Sequence, residues 1–539
     1  MIQQKTLIKV HPQDNVAIAL TDLPQGRQVI EGGELELKQA TKAKHKVTLT
    51  DLAVGDPITM YGVLVGTAIL PLPKGTLLST VNVRHQSAPV SARTGSPAWQ
   101  PPNVEAWKDR TFMGYHRPDG QVGTQNIWLF FPLVFCENRN IAVLKEVFEQ
   151  EFAVSQINPQ QRLLRSLMYG NGGGQAKADV VSKTHPYHNV QVKFLSHQGG
   201  CGGVPEDSES LARLLAGYVK NPNVAGATVL SLGCQHLQVH LFKAALDRLD
   251  PDLKKPVLIY EQQQMGTVEQ MLNTIVKESF EGIAKANAIP RKPAPLSKLK
   301  LGLECGGSDG FSGISANPAL GYVSDVLAAL GGSPILSEFP ELCGVEQELV
   351  NRCVDDETAT RFMALMQAYE KRALAVGSGF DMNPSPGNIK DGLITDAMKS
   401  AGAAKKGGTS PITAVLDYGD YVTQPGLNLL CTPGNDVEST TGMVGSGANV
   451  VVFTTGLGTP TGNPIAPVIK VATNTVMAER MPDIIDVDTG AVIRGEKGIP
   501  EMGQELLEFI VQVASGTITT KADRLGQDDF IPWKRGVSL

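Results

Sequence analysis

Short β-prone runs dominate the first 88 residues of the chain. Gly, Pro and Asp separate the segments HKVTLTDL, DPITMYGVLVGTAIL and TLLSTVNV, and no long helical period occurs among them. Runs of this kind are typical of strands joined by turns. The next stretch, SAPVSARTGSPAWQPPNVEAW, is rich in Ser and Pro and lacks periodicity. We therefore interpret residues 89–110 as an extended linker.

From about Thr111 onward, the pattern changes to an apolar run, a glycine loop and an amphipathic helix. The run IWLFFPLVF precedes NIAVLKEVFEQEF, VQVKFL precedes SLARLLAGYV, and GATVLSLG precedes LQVHLFKAALDRL. One face of the first predicted helix carries Ile141, Leu144, Val147 and Phe148. Continuous apolar strands that alternate with helices predict parallel sheets covered on both faces.

The stretch PRKPAPLSK near residue 290 is interpreted as a second linker, and the α/β alternation resumes after it. A chain of 539 residues is expected to form two to four domains. The sequence therefore predicts a multidomain α/β protein with largely parallel sheets. Its parts are a small β domain (1–88), a linker (89–110), a middle α/β domain (111–290) and a C-terminal α/β domain (291–539) with a Rossmann-like variant of the fold.

Composition excludes several classes of function. The net charge of -6 argues against a nucleic-acid-binding protein, which needs a basic surface to contact phosphates. No apolar run is long enough to span a membrane, and the N-terminal segment has no signal-like hydrophobic region. Seven cysteines in such a chain favour reduced thiols or metal ligands over disulfides. We expect a soluble cytoplasmic protein.

Four thiols follow predicted strands. Cys136 ends IWLFFPLVFC, Cys201 lies just after VQVKFLSHQGG, Cys234 ends TVLSLGC, and Cys305 ends KLGLEC. The carboxyl ends of parallel strands form one edge of a sheet, where ligands bind. Three of these thiols belong to the middle domain and one to the C-terminal domain, so a shared site would lie between the two domains.

Simple packing is the alternative interpretation, because free cysteine is among the most buried residues. The repeated context and the nearby His197 favour a site, since thiolate and imidazole suit iron or zinc. No CxxC pair is present. Cys343 and Cys353 are interpreted as structural, and Cys431 stays ambiguous.

Three polar loops are candidates for binding an anionic, hydroxyl-rich ligand. They are TPGNDVES (432–439), TTGLGTPTGNP (454–464) and NPSPGN (383–388), and turn clusters are the alternative interpretation. Neither a G-x-G-x-x-G fingerprint nor a GxxxxGK[ST] phosphate loop occurs. This argues against a nicotinamide-dependent oxidoreductase.

With these loops, the chain resembles a known family, the altronate/galactarate dehydratases. The stretches that carry the resemblance are YHRPDGQVGTQN, HQGGCGG, LGCQHLQV, ECGGSDGFSGISANPALG, NPSPGN, PGLNLL, TPGNDVES and FTTGLGTPTGNP. The first 88 residues resemble the small β-clip domain of the SAF type in that family. The segments PGND and PGLNLL are closer to the altronate branch.

The resemblance implies a hydro-lyase that acts by β-elimination. A proton leaves the carbon next to the carboxylate, hydroxide leaves the following carbon, and the enol tautomerises to a 2-keto-3-deoxy acid. For D-altronate the product would be 2-dehydro-3-deoxy-D-gluconate. The resemblance also implies iron(II), or manganese(II), and a homodimer. Galactarate or another hexonate or hexarate is the alternative substrate, and a non-catalytic sugar-acid-binding protein is the alternative class.

The residue types suit this chemistry, because a metal ion spreads the charge that forms when a carboxylate loses its α-proton. The candidate metal ligands are His197, Cys201, Cys234, Cys305 and Cys136, with Glu304 or Asp309 as oxygen ligands. An iron–sulfur cluster on the thiols is the alternative to a single iron ion. The candidate acid/base residues are His45, His85 and Asp309. The candidate substrate-binding residues are Ser308, Asn388, Asn435 and Asp436.

Overall fold

A small antiparallel β domain precedes two α/β domains in the computed structural model, which describes residues 6–30, 33–95, 98–152, 159–169 and 186–539. The predicted multidomain α/β class is confirmed. Among the described residues, no helix combines the length and the apolar character that crossing a bilayer requires.

Antiparallel hairpins build the N-terminal domain. Its strands are β1 (Leu7–Ile8), β2 (Val16–Ala19), β3 (Gly26–Ile30), β4 (Gly33–Leu37), β5 (Lys46–Thr48), β6 (Pro57–Met60), β7 (Val63–Ala68) and β8 (Val83–Arg84). They pair as β1-β2-β5, β3-β4 and β6-β7-β8. Tyr61 and Gly62, both with positive φ (58° and 80°), join β6 to β7, as a two-residue hairpin turn requires.

The small domain packs directly on the C-terminal domain. Its buried Ile58, Met60 and Val65 belong to the same hydrophobic core as Leu301 and Leu320 of the C-terminal domain. Burying apolar side chains in one continuous core fixes the position of the small domain against its neighbour. The small domain therefore does not swing freely at the end of residues 89–110.

A small antiparallel sheet joins the ends of the middle domain. It contains β9 (Thr111–His116), β10 (Val122–Gly123) and β15 (Lys292–Pro295) in the order β10-β9-β15. Strand β15 occupies the stretch that the sequence analysis interpreted as a second linker, so that interpretation is wrong for these four residues. Its two prolines are tolerated because β15 is an edge strand.

The middle domain is a parallel sheet with the order β12-β11-β13-β14. Its strands are β11 (Ile127–Pro132), β12 (Gln191–Phe194), β13 (Val224–Ser231) and β14 (Val257–Glu261). Its helices are α1 (Asn138–Phe152), α2 (Pro159–Tyr169), α3 (Pro205–Lys220), α4 (Val239–Leu249) and α5 (Val268–Asn287). In α1, Ile141, Leu144 and Phe148 are buried as predicted, but Val147 is 43% exposed.

The C-terminal domain is a parallel sheet with the order β18-β19-β17-β16-β20-β21-β22. Its strands are β16 (Lys300–Cys305), β17 (Ser333–Leu336), β18 (Ile412–Leu416), β19 (Leu427–Leu430), β20 (Val450–Thr455), β21 (Val468–Ala472) and β22 (Val487–Asp488). Its helices are α6 (Ala316–Ala329), α7 (Glu346–Arg352), α8 (Asp356–Ala375), α9 (Pro386–Lys390), α10 (Asp396–Ala403), α11 (Asp436–Gly445), α12 (Thr475–Arg480), α13 (Gly490–Ile493), α14 (Ile499–Ala514) and α15 (Lys521–Arg524).

The order of the strands reverses at β16. Strand β17 lies on one side of β16 and β20 on the other, and the chain leaves β16 toward β17 and returns later through β20. In open α/β sheets, the crevice beyond the carboxyl ends of the strands at such a reversal is the usual place for a ligand.

The two α/β domains meet through α3 and α11. At their crossing, a Cβ atom on Gly217 would lie 1.9 Å from the carbonyl oxygen of Gly445, so only glycine permits this approach. Leu214 and Tyr218 of the middle domain share a core with Met443 and Val444 of the C-terminal domain. This packing sets the carboxyl edges of the two sheets relative to each other.

Candidate active site

A network of buried charges lies at the carboxyl ends of β16 and β17. Cys305 ends β16, and Glu338 and Glu341 follow β17. Lys406 donates hydrogen bonds to Glu338 Oε2 at 2.6 Å and to Cys305 Sγ at 2.8 Å. Lys399 pairs with Glu341 Oε1 at 2.6 Å. We call these residues, together with Glu304 and Asp436, the charge network.

The backbone turns sharply to bring Glu338 into this network. Glu338 has a φ of 66°, in the left-handed region that a non-glycine residue rarely adopts. Its N–H donates to Thr432 Oγ1 at 2.8 Å, which holds the turn against the loop after β19. Backbone strain of this kind persists where the surroundings fix the conformation, and it is often found at functional sites.

Cys305 is a thiol that is already engaged. It is 2% exposed, and burial raises its pKa well above the ordinary value even though Lys406 opposes that rise. The protonated sulfur lies 3.4 Å from Glu341 Oε2, where it donates, while it accepts from Lys406. Ligand atoms of Cys305, Glu338 and Glu341 lie within 4.8 Å of one another, and in this structure the ammonium group of Lys406 supplies the positive charge beside them.

The carboxyl groups of Glu304 and Glu338 lie close together in the charge network. Each has one buried carboxylate oxygen, Oε1, without a hydrogen-bond partner among the described residues. Ligand atoms of Glu304, Glu338 and Asp436 lie within 4.8 Å of one another. Burial, and next the charge of Glu338, raise the pKa of Glu304 well above its ordinary value. A proton on Glu304 would supply a hydrogen-bond donor to the carboxylate of Glu338. It would also relieve the repulsion between the two adjacent carboxylates.

Protonation of Glu304 also balances the charges of the network. Glu338 then faces Lys406, and Glu341 faces Lys399. Asp436 interacts with Lys470, whose ammonium group lies 3.5 Å above the ring of Phe453 and has no hydrogen-bond partner among the described residues. Burial lowers the pKa of Lys470 to about 7. Burial raises the pKa of Asp436, also to about 7.

Asp309, a predicted acid/base residue, is buried and saturated with partners. Its carboxylate lies 3.0 Å from Lys44 Nζ of the small domain and accepts from Thr473 Oγ1 at 3.1 Å and Asn474 Nδ2 at 3.3 Å. Burial alone would lower the pKa of Lys44, but the charges of Asp309 and Asp391 outweigh it and raise that pKa. The Asp309–Lys44 pair therefore ties the small domain to the loop after β16.

The two predicted histidines of the small domain contact different parts of the C-terminal domain. The His45 ring lies 3.1 Å from the carbonyl oxygen of Lys390, and burial lowers its pKa. His85 accepts from the N–H of Ala397 and groups with Cys343 and Asp396, whose ligand atoms lie within 4.8 Å of one another. The structure does not place His85 in the charge network.

Of the predicted substrate-binding residues, only Asp436 has an arrangement suited to reaction chemistry. Asn388 forms a capping box with Ser385 and donates to the carbonyl oxygen of the buried Ser308 at 2.7 Å. Asn435 caps α11 by accepting from the N–H groups of Val437 and Glu438. These two amides therefore stabilise loops and a helix end.

The thiols predicted to bind one metal ion fall into two groups. Cys136, Cys201 and Cys234 follow β11, β12 and β13 at one edge of the middle sheet, whereas Cys305 belongs to the charge network. Among the described residues, no set of three or more ligand atoms within 4.8 Å of one another contains Cys136, Cys201 or Cys234. A single iron ion bound by all the predicted ligands is therefore not what this structure assembles.

His197 is not placed as a metal ligand. Its Nε2 lies 2.8 Å from the carbonyl oxygen of Pro132, so Nε2 carries the proton, and its Nδ1 accepts from the N–H of Gly199 at 3.1 Å. Both ring nitrogens are occupied, and burial lowers the pKa of His197 to about 4. In this structure the ring fastens the glycine loop to the end of β11, and the role of His197 as a metal ligand stays a prediction.

A cavity of about 720 Å³ lies between the two α/β domains. The loop 196–203 with Cys201, the first turn of α11 with Glu438, and the C-terminal segment 530–534 line it. The chain end covers the loop, since the N–H of Leu539 donates to the carbonyl oxygen of Gly202 at 2.9 Å. Helix α11 links the two regions: its first turn places Asp436 in the charge network and Glu438 on the cavity.

Sequence reasoning missed most of the charge network. Glu338 follows the apolar run PIL and obeys the same strand-end rule that identified Cys305, so the rule could have found it. Lys399 and Lys406 lie in the short helical region 396–407, far along the chain, and no local pattern marks them. The Lys44 contact with Asp309 spans 265 positions and likewise has no local signal.

Three family models match consecutive parts of the chain. They are the SAF domain of altronate/galactarate dehydratases (residues 5–86), the second domain of D-galactarate dehydratase/altronate hydrolase (114–287) and the C-terminal domain of D-galactarate/altronate dehydratase (296–538). The altronate dehydratase of Escherichia coli K12 is 33% identical and covers 99% of both chains. That of Bacillus subtilis 168 is also 33% identical, over 99% of this chain and 100% of its own. The galactarate dehydratase (L-threo-forming) of Escherichia coli K12 is 32% identical over 96% and 94%.

Proposed function

Since the chain belongs to the D-galactarate/altronate dehydratase family, we propose that it dehydrates D-altronate to 2-dehydro-3-deoxy-D-gluconate. The observation that carries this proposal is the match to altronate dehydratases over 99% of the chain, including the small domain. The galactarate dehydratase is nearly as similar, at 32% identity, so galactarate is the second candidate substrate.

The reaction needs a base for the proton at C2 and an acid for the hydroxyl group at C3. The electron pair of the C2–H bond forms the C2–C3 double bond, the C3–O bond breaks, and the hydroxide leaves as water after it takes up a proton. The enol then tautomerises, with a solvent proton added to C3. Each acid or base group typically contributes ~10²–10⁴-fold to the rate.

We assign the acid/base work to the charge network. Asp436 is half-buried at the start of α11, whereas Glu304 and Glu338 beneath it are buried completely. Asp436 is thus the least buried carboxyl group of these three, and it lies two residues before Glu438, which lines the cavity. Carboxylate oxygens of Glu304 and Glu338 lie within 4.8 Å of one of Asp436, and the raised pKa of Glu304 suits it to exchange a proton with Asp436.

Iron is part of the proposal as a Lewis acid for the substrate. When bound, it stabilises the charge that develops on the substrate and helps the hydroxyl group depart. The set of ligands expected for a single ion is divided in this fold, and His197 has no free nitrogen. Three thiols at the edge of the middle sheet remain as ligands, and manganese, which prefers oxygen ligands, fits them poorly.

The experiment is an anaerobic assay of the full-length protein with iron(II) and a panel of aldonates and aldarates. The assay detects 2-keto-3-deoxy acids, and each substrate is also tested after exhaustive chelation. We expect D-altronate to be turned over fastest and chelation to abolish turnover. Faster turnover of galactarate would move the chain to the second candidate, and unchanged turnover after chelation would refute the role of iron. Binding without any product would indicate a sugar-acid-binding protein.

A further inference from the structure

Three thiols from distant parts of the sequence follow neighbouring strands at the carboxyl edge of the middle sheet. Strands β12, β11 and β13 are neighbours and run parallel. Cys201, Cys136 and Cys234 come a few residues after the ends of these three strands. Neighbouring strands lie ~4.8 Å apart, so three adjacent strand ends bracket a site about two strand spacings wide.

Hydrogen bonds hold the three loops against one another. The N–H of Phe135, next to Cys136, donates to the carbonyl oxygen of Gly199 at 3.1 Å. The N–H of Leu237, three residues after Cys234, donates to the carbonyl oxygen of Gly200 at 2.9 Å. The pair Gly199–Gly200 therefore bridges the loop of Cys136 and the loop of Cys234, and Cys201 follows directly.

The bridge has room for glycine alone. Gly200 has a φ of +94°, and a Cβ atom there would lie 2.0 Å from the carbonyl oxygen of Leu133. His197 fastens the same loop to the end of β11 through its contact with the carbonyl oxygen of Pro132. The sequence HQGGC thus provides a clamp (His197), a close approach (Gly200) and a thiol (Cys201) in one turn of chain.

The three thiols are accessible to solvent, whereas cysteines that serve only to fill a hydrophobic core are buried. Cys136 and Cys234 are exposed and Cys201 is half-exposed, whereas Cys305, Cys353 and Cys431 are buried. Cys201 also lines the cavity between the two α/β domains. Cysteines are usually among the most buried residues, so three accessible thiols at one sheet edge need another explanation than packing.

A single metal ion does not fit this arrangement. Thiolates bind an ion such as zinc at ~2.3 Å, which brings tetrahedral sulfur ligands to within about 4 Å of one another. The three thiols form no such set among the described residues. An iron–sulfur cluster suits thiolates that are spread more widely, because each thiolate binds a different iron atom.

We infer that Cys136, Cys201 and Cys234 bind a [4Fe–4S] cluster, which these three ligands leave with one iron atom free of protein thiolates. That iron is the Lewis acid in the proposed dehydration, and only this last step of the inference rests on the proposed function. Cys305 is not a ligand, because Lys406 and Glu341 already engage its sulfur. The cluster itself can be tested without any substrate.

The test is anaerobic reconstitution of the full-length protein with iron(II) and sulfide, followed by removal of unbound iron. Iron and acid-labile sulfide are counted per chain, and visible absorption and the electron paramagnetic resonance spectrum after reduction are recorded. We expect about four iron and four sulfide atoms per chain. One iron atom per chain without sulfide would overturn the inference in favour of a mononuclear site. No bound iron would overturn both the cluster and the mononuclear site.

Single substitutions identify the ligands. Cys136→Ser, Cys201→Ser and Cys234→Ser should each lose most of the bound sulfide and the cluster spectrum while they keep the circular dichroism of the native fold. Cys305→Ala and the matched control Cys353→Ala, a buried thiol outside the site, should retain both. Cluster loss in folded Cys305→Ala, or retention in all three serine variants, would contradict the assignment. Because no turnover is measured, a wrong substrate proposal leaves these results unchanged.

Discussion

Replacing Lys406 by methionine removes the positive charge at the centre of the charge network and keeps a side chain of similar length. The carboxylate of Glu338 then loses its partner at 2.6 Å in a fully buried position. Burial raises the pKa of Glu338, and Lys406 opposes that rise. In the variant, we expect Glu338 to take up a proton on folding, because an unpaired buried carboxylate is far more costly.

The magnitude follows from the pKa of the unfolded chain. Protonating a carboxyl group with an ordinary pKa of 4.5 costs about 1.36 kcal/mol for each pH unit above that value. At pH 7.0 the cost is at most about 3.4 kcal/mol, and at pH 5.5 about 1.4 kcal/mol. Lys406 holds down the pKa of Glu338 in the native fold. Its removal raises the folded-state pKa of Glu338 further, so the stability of the variant relative to the native protein falls as pH rises above the ordinary value of 4.5.

The assay is the thermal midpoint of unfolding of native and variant proteins at both pH values. For a domain of roughly 250 residues, each kcal/mol lowers the midpoint by about 2–4 °C. We therefore expect Lys406→Met to unfold about 7–14 °C below the native protein at pH 7.0 and about 3–6 °C below it at pH 5.5. The matched control is Lys405→Met, which changes the neighbouring exposed lysine and should shift the midpoint little at either pH. Equal shifts for both variants, or a shift of Lys406→Met that does not depend on pH, would refute the buried-charge argument.

Three further predictions concern other parts of the molecule. Asp436→Asn should lower kcat by ~10²–10⁴-fold with little change in KM, measured by formation of the 2-keto-3-deoxy acid; an unchanged kcat would remove Asp436 from the acid/base role. Lys44→Met should destabilise the contact of the small domain by ~3 kcal/mol and speed proteolytic cleavage in residues 89–110, whereas Lys42→Met, whose ion pair is exposed, should not; equal cleavage would argue against the Lys44–Asp309 tie. Gly200→Ala should abolish iron binding, since its Cβ atom would meet the Leu133 carbonyl oxygen at 2.0 Å, whereas Gly202→Ala, with nothing within 4 Å, should cost only ~1 kcal/mol of backbone strain and keep the iron; iron retained in folded Gly200→Ala would contradict the bridge.

The alternation of apolar runs and amphipathic helices was sufficient to predict the order of layers, because parallel strands buried on both faces leave a continuous apolar signal. Strands β11, β13 and β20 carry that signal along their whole length. The prolines of KPAP are typical of a linker and hide an edge strand, because the pairing of β15 with β9 depends on residues about 180 positions earlier.

The rule that ligands lie at strand ends found Cys136, Cys201, Cys234 and Cys305, but it could not tell one sheet edge from another. Whether Cys305 meets the other thiols depends on how two domains pack, which no local pattern encodes. The role of His197 was likewise not predictable, because an imidazole that binds metal and one that clamps a loop occupy the same place in the sequence. Long-range ion pairs such as Lys406–Glu338 are set by the fold alone.

The central claim is the dehydration of a sugar acid, and one measurement tests it most directly. The full-length protein, reconstituted anaerobically with iron and sulfide, is incubated with D-altronate in D₂O, and the product is examined by NMR. The account predicts 2-dehydro-3-deoxy-D-gluconate with one deuterium at C3, because tautomerisation of the enol takes that atom from the solvent. Failure to form any 2-keto-3-deoxy acid from D-altronate or galactarate, with the iron content intact, would contradict it.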